Sequence, residues 1–294
     1  MPFRCSWAPL SPPIGCAPGG GTLPSGFPFS THWLLPYQGR ATLAHANGTH
    51  LAVASPLLFL PIMKLYCVYT PAHEILLKDW FLPSVPDGFN VVATPLQISG
   101  AGDFLSEEFL RCIRAKVALM VESIQSNRGS WILWSDIDIL FNQTTLEVVN
   151  RIIGNAGNRD IFFQSESRTQ GDVNTGFILI RCGDLTETFF RNVGMRLDLE
   201  TGKNEQIIEN EMLRNGVDLE WDYLPISFVA RTHGWPPSRR MAIYHANYTM
   251  GPKGVEQKIR QFKAVKAMQR YGWPAIAYFT LTRCVEKSLD LIRR

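Results

Sequence analysis

Cysteine is scarce and unpatterned. The six residues, Cys5, Cys16, Cys67, Cys112, Cys182 and Cys284, form no C-x-x-C pair and no zinc spacing, which excludes a zinc ribbon and gives no sign of a disulfide framework. Charge of one sign is lacking too. The net charge is only +3 and no polybasic run occurs, so nucleic acid is not the expected partner and no anionic-membrane patch is indicated. Long apolar runs are absent. Leu51–Ile62 is 12 residues long and broken by Pro56 and Pro61, too short to span a bilayer. No basic stretch precedes an apolar one near the start, so a secretory leader is not indicated. No internal repeat is visible.

Residues 1–62 lack acidic side chains altogether, and Arg4 and Arg40 are their only charges. They hold ten of the 19 prolines and seven of the 23 glycines, with neither helical nor strand periodicity, and are expected to be irregular. The folded domain is expected to span 63–294. Within it Cys67 and Cys182 lie in apolar runs, which suits buried free thiols and a reducing compartment. Asn-x-Ser/Thr sequons at Asn142 and Asn247 flank the motifs discussed below, where a glycan would obstruct them. A cytoplasmic location follows as the expectation, free or peripheral to a membrane.

From residue 63 strand and helix signals alternate, which predicts a single α/β domain: a Rossmann-like mixed, mostly parallel sheet flanked by helices. Strands are predicted at Lys64–Thr70, Phe89–Ala93, Trp131–Phe141, Asp160–Gln164, Asn174–Arg181, Leu219–Leu224 and Met241–His245. Helices are predicted at His73–Phe81, from Ser106 to Asn127, at Leu146–Ile153, Leu185–Val193, Ile207–Asn215 and Val255–Tyr271. Ser106 reads as an N-cap, with Glu107 and Glu108 in the first turn favouring the helix dipole.

The stretch Trp131-Ile-Leu-Trp-Ser-Asp136-Ile-Asp138-Ile-Leu-Phe141 organises the rest. On an extended strand Asp136 and Asp138 would lean the same way. Two carboxylates at the end of a buried strand repel and resist losing water, and a divalent cation removes that cost. Oxygen ligands suit Mg²⁺ or Mn²⁺. A strand running out into a solvated turn is the simpler alternative.

Four further features fall in register with this one. Tyr69-Thr70-Pro71 would place a ring and a hydroxyl at a carboxyl edge, where open α/β sheets bind ligands. Asp172 and Asn174 open the apolar strand that follows Gly171. Glu205 and Gln206 open a helix. His245 ends the last strand, with Lys253 and Lys258 close behind. An imidazole at a strand end can complete the coordination of a cation held by two Asp, and lysines suit diphosphate oxygens. Singly, each residue also fits a structural role: His245 in the core, Asn174 bonding its own turn, the lysines as surface charges. Their order and spacing together single them out.

These four segments, WILWSDIDILF, DVNTGFILIR, NEQ-x-x-x-NEML and HANYTMGPKGVEQKI, resemble those of the nucleotide-diphospho-sugar transferases, glycosyltransferases of the GT-A fold, over about Met63 to Tyr271. The resemblance implies a UDP- or GDP-sugar donor bound through Mn²⁺ or Mg²⁺, and a glycan, lipid or protein acceptor. It implies Asp136, Asp138 and His245 as metal ligands, with Asp136 also at the donor. It places Asn174 and Glu205-Gln206 at the transferred sugar. The insertion around Gly251-Pro252-Lys253-Gly254 departs from the family pattern and leaves open which lysine meets phosphate.

Inversion would need a base, for which Glu205, Asp172 and Glu166 qualify, whereas a neutral Gln206 or Asn174 near the anomeric carbon suits retention. The family resemblance favours retention. Gly171 and Gly251 lie in loops that could close over the donor. Two other readings compete. An Asp-nucleophile phosphatase also carries Asp-x-Asp, but wants Gly, Thr or Val and then Thr, Ser or Val after it, where this chain has Ile139-Leu140. A binding module that kept the fold without turnover is the non-enzymatic alternative.

Overall fold

The computed structural model describes residues 63–98, 106–230, 241–246, 253–275, 277, 278 and 281, all within one compact unit, Leu57–Arg294. The expected irregular segment 1–62, residues 231–240, the sequon at Asn247 and Gly251 lie outside the described residues.

Six strands form the main sheet in the order β2-β1-β3-β6-β5-β7. They are β1 (Met63–Tyr69), β2 (Phe89–Pro95), β3 (Trp131–Ser135), β5 (Ile161–Ser165), β6 (Val173–Arg181) and β7 (Trp221–Tyr223). Pairings β1–β2, β1–β3 and β5–β7 are parallel; only β6 runs against its neighbours β3 and β5. The sheet is therefore mixed and mostly parallel. A second, two-stranded sheet pairs β4 (Ile139–Phe141) with β8 (Ile243–His245). The long helices are α2 (Glu107–Gln125), α3 (Thr145–Gly154), α4 (Asp184–Leu199), α5 (Glu205–Asn215) and α6 (Gly254–Tyr271).

Side-chain alternation on the central strands splits the core into two clusters, one per face. Ile132, Trp134, Phe163, Ile178 and Ile180 pack on one face against α2, α4 and α5. Leu65, Leu133, Phe162, Phe177 and Leu179 pack on the other against β4, β8 and α6. Strand β6, hydrogen-bonded on both edges and covered on both faces, has eight of nine residues buried, which is why its second half, Phe177 to Ile180, reads as an unbroken apolar run. Ser106 caps α2 by accepting from Phe109 N at 3.1 Å, and Asn204 caps α5 by accepting from Ile207 N at 3.0 Å.

The predicted helix 73–81 is instead a chain of single turns. A 3-10 turn at Pro71–His73 leads into α1 (Glu74–Leu76), a π turn at Leu77–Phe81 and a second 3-10 turn at Leu82–Ser84. Pro83 has no N–H to continue an α-helical ladder, and the wider turn before it absorbs the mismatch.

Candidate active site

Strand β3 ends at Ser135, and Asp136-Ile137-Asp138 form a turn leading into β4. The expectation of two carboxylates on one extended strand is corrected: buried Ile137 anchors the turn, and the acids flank it. Asp136 N donates to Gly176 O at 2.7 Å, which fixes the start of the turn to β6. The small sheet then supplies the histidine. Ile139 pairs with His245, and Ala246 N donates to Asp138 O at 2.8 Å. One ligand atom from each of Asp136, Asp138 and His245 lies within 4.8 Å of the others. His245 Nε2 stands 3.3 Å from Asp138 Oδ1.

Two lysines hold the acids from opposite sides. Lys258, on α6, pairs with Asp138 Oδ2. Burial alone would raise the Asp138 carboxyl, but Lys258 and His245 overcome it and hold the group well below the usual carboxylate range. The second lysine, Lys116 on α2, was not anticipated. It is 4% exposed, and its Nζ lies 2.9 Å from Asp136 Oδ1, 3.1 Å from Glu205 Oε1 and 3.2 Å from Thr175 O. Burial disfavours its charge, yet Asp136 and Glu205 more than compensate and hold the ammonium above its ordinary value. A signal was present in the sequence: Lys116 sits between Ile113 and Met120 on the apolar stripe of α2, where an unpaired lysine would be costly.

The predicted sugar-facing residues divide into two groups. Asn174 Nδ2 donates to Glu166 Oε2 at 2.6 Å, and Gln206 Nε2 donates to the same oxygen at 3.4 Å. Asn174 Oδ1 accepts from Gly176 N at 2.9 Å. These three side chains converge beside the acid pair. Glu205 instead points inward and is 4% exposed, accepting from Lys116 and, at 3.1 Å, from Thr175 Oγ1. Asp172 is exposed and bonded to Arg214 at 2.5 Å. Tyr69 ends β1, which pairs with β3 as far as Tyr66↔Trp134, and Thr70 opens the turn that follows. Thr70 Oγ1 meets His73 Nδ1 at 2.8 Å, and burial, then Lys258, lowers the His73 pKa while Asp138 opposes the shift. Lys253 is exposed at the start of α6.

One more acid lies beneath the site. Glu209 on α5 is fully buried, and among the described residues neither carboxyl oxygen has a hydrogen-bond partner. Burial first, then Glu205, pushes its pKa well up, which favours the neutral form. The folded protein therefore binds this proton more tightly than the unfolded chain, and stability contributed here falls as pH rises above about 4.3. Glu209→Gln, which cannot titrate, should be more stable than wild type by about 1 kcal/mol or more at pH 8, with the gap closing towards pH 4 in urea melts. A parallel pH dependence in both proteins would contradict a neutral Glu209. Cys67, Cys112 and Cys182 are free thiols, and burial pushes Cys67 up to about 12, which removes it as a nucleophile.

The donor set fits a hard divalent cation. Asp138 Oδ1 is buried and, among the described residues, without a hydrogen-bond partner, and it faces an imidazole nitrogen and a second carboxylate. Space is reserved as well. A methyl group on Gly176 would overlap His245 Cε1 and stand 3.0 Å from Asn174 Oδ1 and 3.1 Å from Asp136 Oδ2. Only a residue without Cβ lets β6 pass under the cluster.

Two carboxylates and a histidine thus meet at the carboxyl edge of a mixed α/β sheet, with a lysine paired to each acid, in a cluster that could hold a metal ion. The sequence profile of the nucleotide-diphospho-sugar transferases matches residues 85–262, and the chain belongs to that family. Similar solved structures include a glycosyltransferase involved in glycosylation of the major capsid of PBCV-1. It is 15% identical with a TM-score of 0.48, covering 68% of this chain and 98% of that one. The galactosyltransferase LgtC, solved with donor and acceptor sugar analogues, is 13% identical with a TM-score of 0.39 over 69% and 96% of the two chains. Mouse xyloside xylosyltransferase 1 is 11% identical with a TM-score of 0.42 over 64% and 99%. Comparison with curated proteins finds no match. No helix among the described residues is long and apolar enough to cross a membrane.

Proposed function

We propose that the protein transfers a sugar from a UDP- or GDP-sugar to an acceptor hydroxyl of a glycan, lipid or protein, with Mn²⁺ or Mg²⁺ bound by Asp136, Asp138 and His245, and with retention at the anomeric carbon. The observation that carries this reading is the meeting of those three side chains, from two separate stretches of the chain, within 4.8 Å. The cation would supply Lewis-acid neutralisation of the diphosphate as the sugar bond breaks. Lys258 would add positive charge beside it, and Tyr69, Thr70 and Lys253 would line the nucleotide end.

Retention is favoured by what surrounds the acids. Glu205 is committed to Lys116 and Asp172 to Arg214, which leaves neither free to take a proton from an acceptor. The amide of Asn174 lies with Asp136 beside Gly176, and that of Gln206 meets it at Glu166. Glu166 is the one suggested base without a lysine or arginine partner among the described residues, so an inverting reaction would run through it. NMR of the product anomer distinguishes the two.

Asp138→Asn is expected to lower Mn²⁺-dependent release of nucleoside diphosphate by at least about a hundredfold, with an unchanged far-UV circular dichroism spectrum. Turnover at the wild-type rate would remove the cation from the reading. A thermal-shift panel of sugar nucleotides with Mn²⁺ identifies the donor, because a bound ligand raises the melting point by mass action. Release of phosphate from a simple ester in the same preparation would point to the phosphatase instead.

A further inference from the structure

Gln164 is a fully buried amide in a strand otherwise made of Ile161, Phe162, Phe163 and Ser165. Such a group stays buried only when its polar atoms are satisfied. Its Nε2 donates to Phe228 O at 2.7 Å, and its Oε1 lies 3.0 Å from His245 Nδ1. A backbone carbonyl only accepts, so Phe228 dictates which end of the amide is nitrogen. The oxygen is therefore turned to the imidazole, and Nδ1 must carry a proton to meet it. In the neutral ring the lone pair is then on Nε2, the atom 3.3 Å from Asp138 Oδ1. The pairing of β5 with β6 slips between Phe163 and Gln164, from Phe163↔Ile178 to Gln164↔Asn174, so the irregularity sits beside the cluster, where such slips re-aim side chains.

We propose that Gln164 is a positioning residue that fixes the His245 tautomer and ring orientation, so that Nε2 presents its lone pair to the cation held with Asp136 and Asp138. The chain Phe228 carbonyl, Gln164 amide, His245 imidazole is a relay of orientation. Outer-shell partners of this kind typically change metal affinity 10- to 100-fold. The inference rests on reading Asp136, Asp138 and His245 as a cation site.

The test combines two readouts on the full chain. Mn²⁺ binding without sugar nucleotide is measured by electron paramagnetic resonance of the free ion. Protonation of the His245 nitrogens in the metal-free wild type is read by long-range ¹H–¹⁵N NMR. Gln164→Leu, similar in size but without polar atoms, should weaken Mn²⁺ binding roughly 10- to 100-fold. Gln164→Glu keeps an acceptor opposite Nδ1 and should restore binding to within about threefold of wild type, although it loses the bond to Phe228. At a pH where the ring carries a single proton, that proton on Nδ1 supports the proposal; a proton on Nε2 instead, or equal Mn²⁺ affinity in wild type and Gln164→Leu, overturns it. If wild type takes up no Mn²⁺, the cation reading falls, and the Nδ1 signal still decides what Gln164 does.

Discussion

Lys116→Met is expected to destabilise the protein by about 3–5 kcal/mol, because the change puts a thioether where the ammonium stood and leaves the buried Glu205 carboxylate, with part-exposed Asp136 beside it, without its cation. At this chain length that is a drop of roughly 6–20 °C in melting temperature. The sign follows from the surroundings. Glu205 is buried with one oxygen on Lys116, and among the described residues the other has no hydrogen-bond partner. Adding Glu205→Gln should recover at least about 1 kcal/mol relative to the sum of the single changes, since the two residues share one interaction. Urea unfolding of the two single variants and the double variant measures both values. A Lys116→Met cost below about 1 kcal/mol would mean that water reaches the pair and screens it.

Gly176→Ala should have the largest effect on activity of any substitution outside the ligands themselves. The added methyl overlaps His245 Cε1, and the strand on one side and Gln164 on the other leave the ring little room to retreat. Misplacement of a catalytic group by about 1 Å commonly costs around a hundredfold in rate, and a loss of that order is expected in Mn²⁺-dependent turnover. Stability should fall by only about 1–3 kcal/mol, the usual cost of one extra methyl in a packed region. Parallel calorimetry with Mn²⁺ and thermal unfolding separate the two effects. Activity within threefold of wild type would show that the ring swings clear.

Much of this was legible in the chain itself. The central strands were readable because double-sided burial writes an unbroken apolar run, as in Ile178-Leu179-Ile180, and the cap at Ser106 was readable because its chemistry is local. Asp136, Asp138 and His245 were found because unpaired polar residues at the ends of apolar strands need an explanation. What was hidden depends on long-range packing. That β6 runs against its neighbours is decided by connections, not by its composition. That Asp136 and Asp138 flank a turn depends on Ile137 finding the core. Glu205 looked like a ligand contact at the head of a helix, and only the approach of Lys116 from α2 turns it inward. Gln164 reads as one polar residue in an apolar strand, and its meaning comes from Phe228 and His245, both distant in sequence.

The small sheet has a consequence of its own. His245 joins the acids through three residue pairs between β4 and β8, and among the described residues the small sheet has these two strands. Every residue of both strands is buried, so they part only when the core around them loosens. An ion bound there would fasten the two strands to each other, tying the occupancy of the centre to the stability of the core beside it.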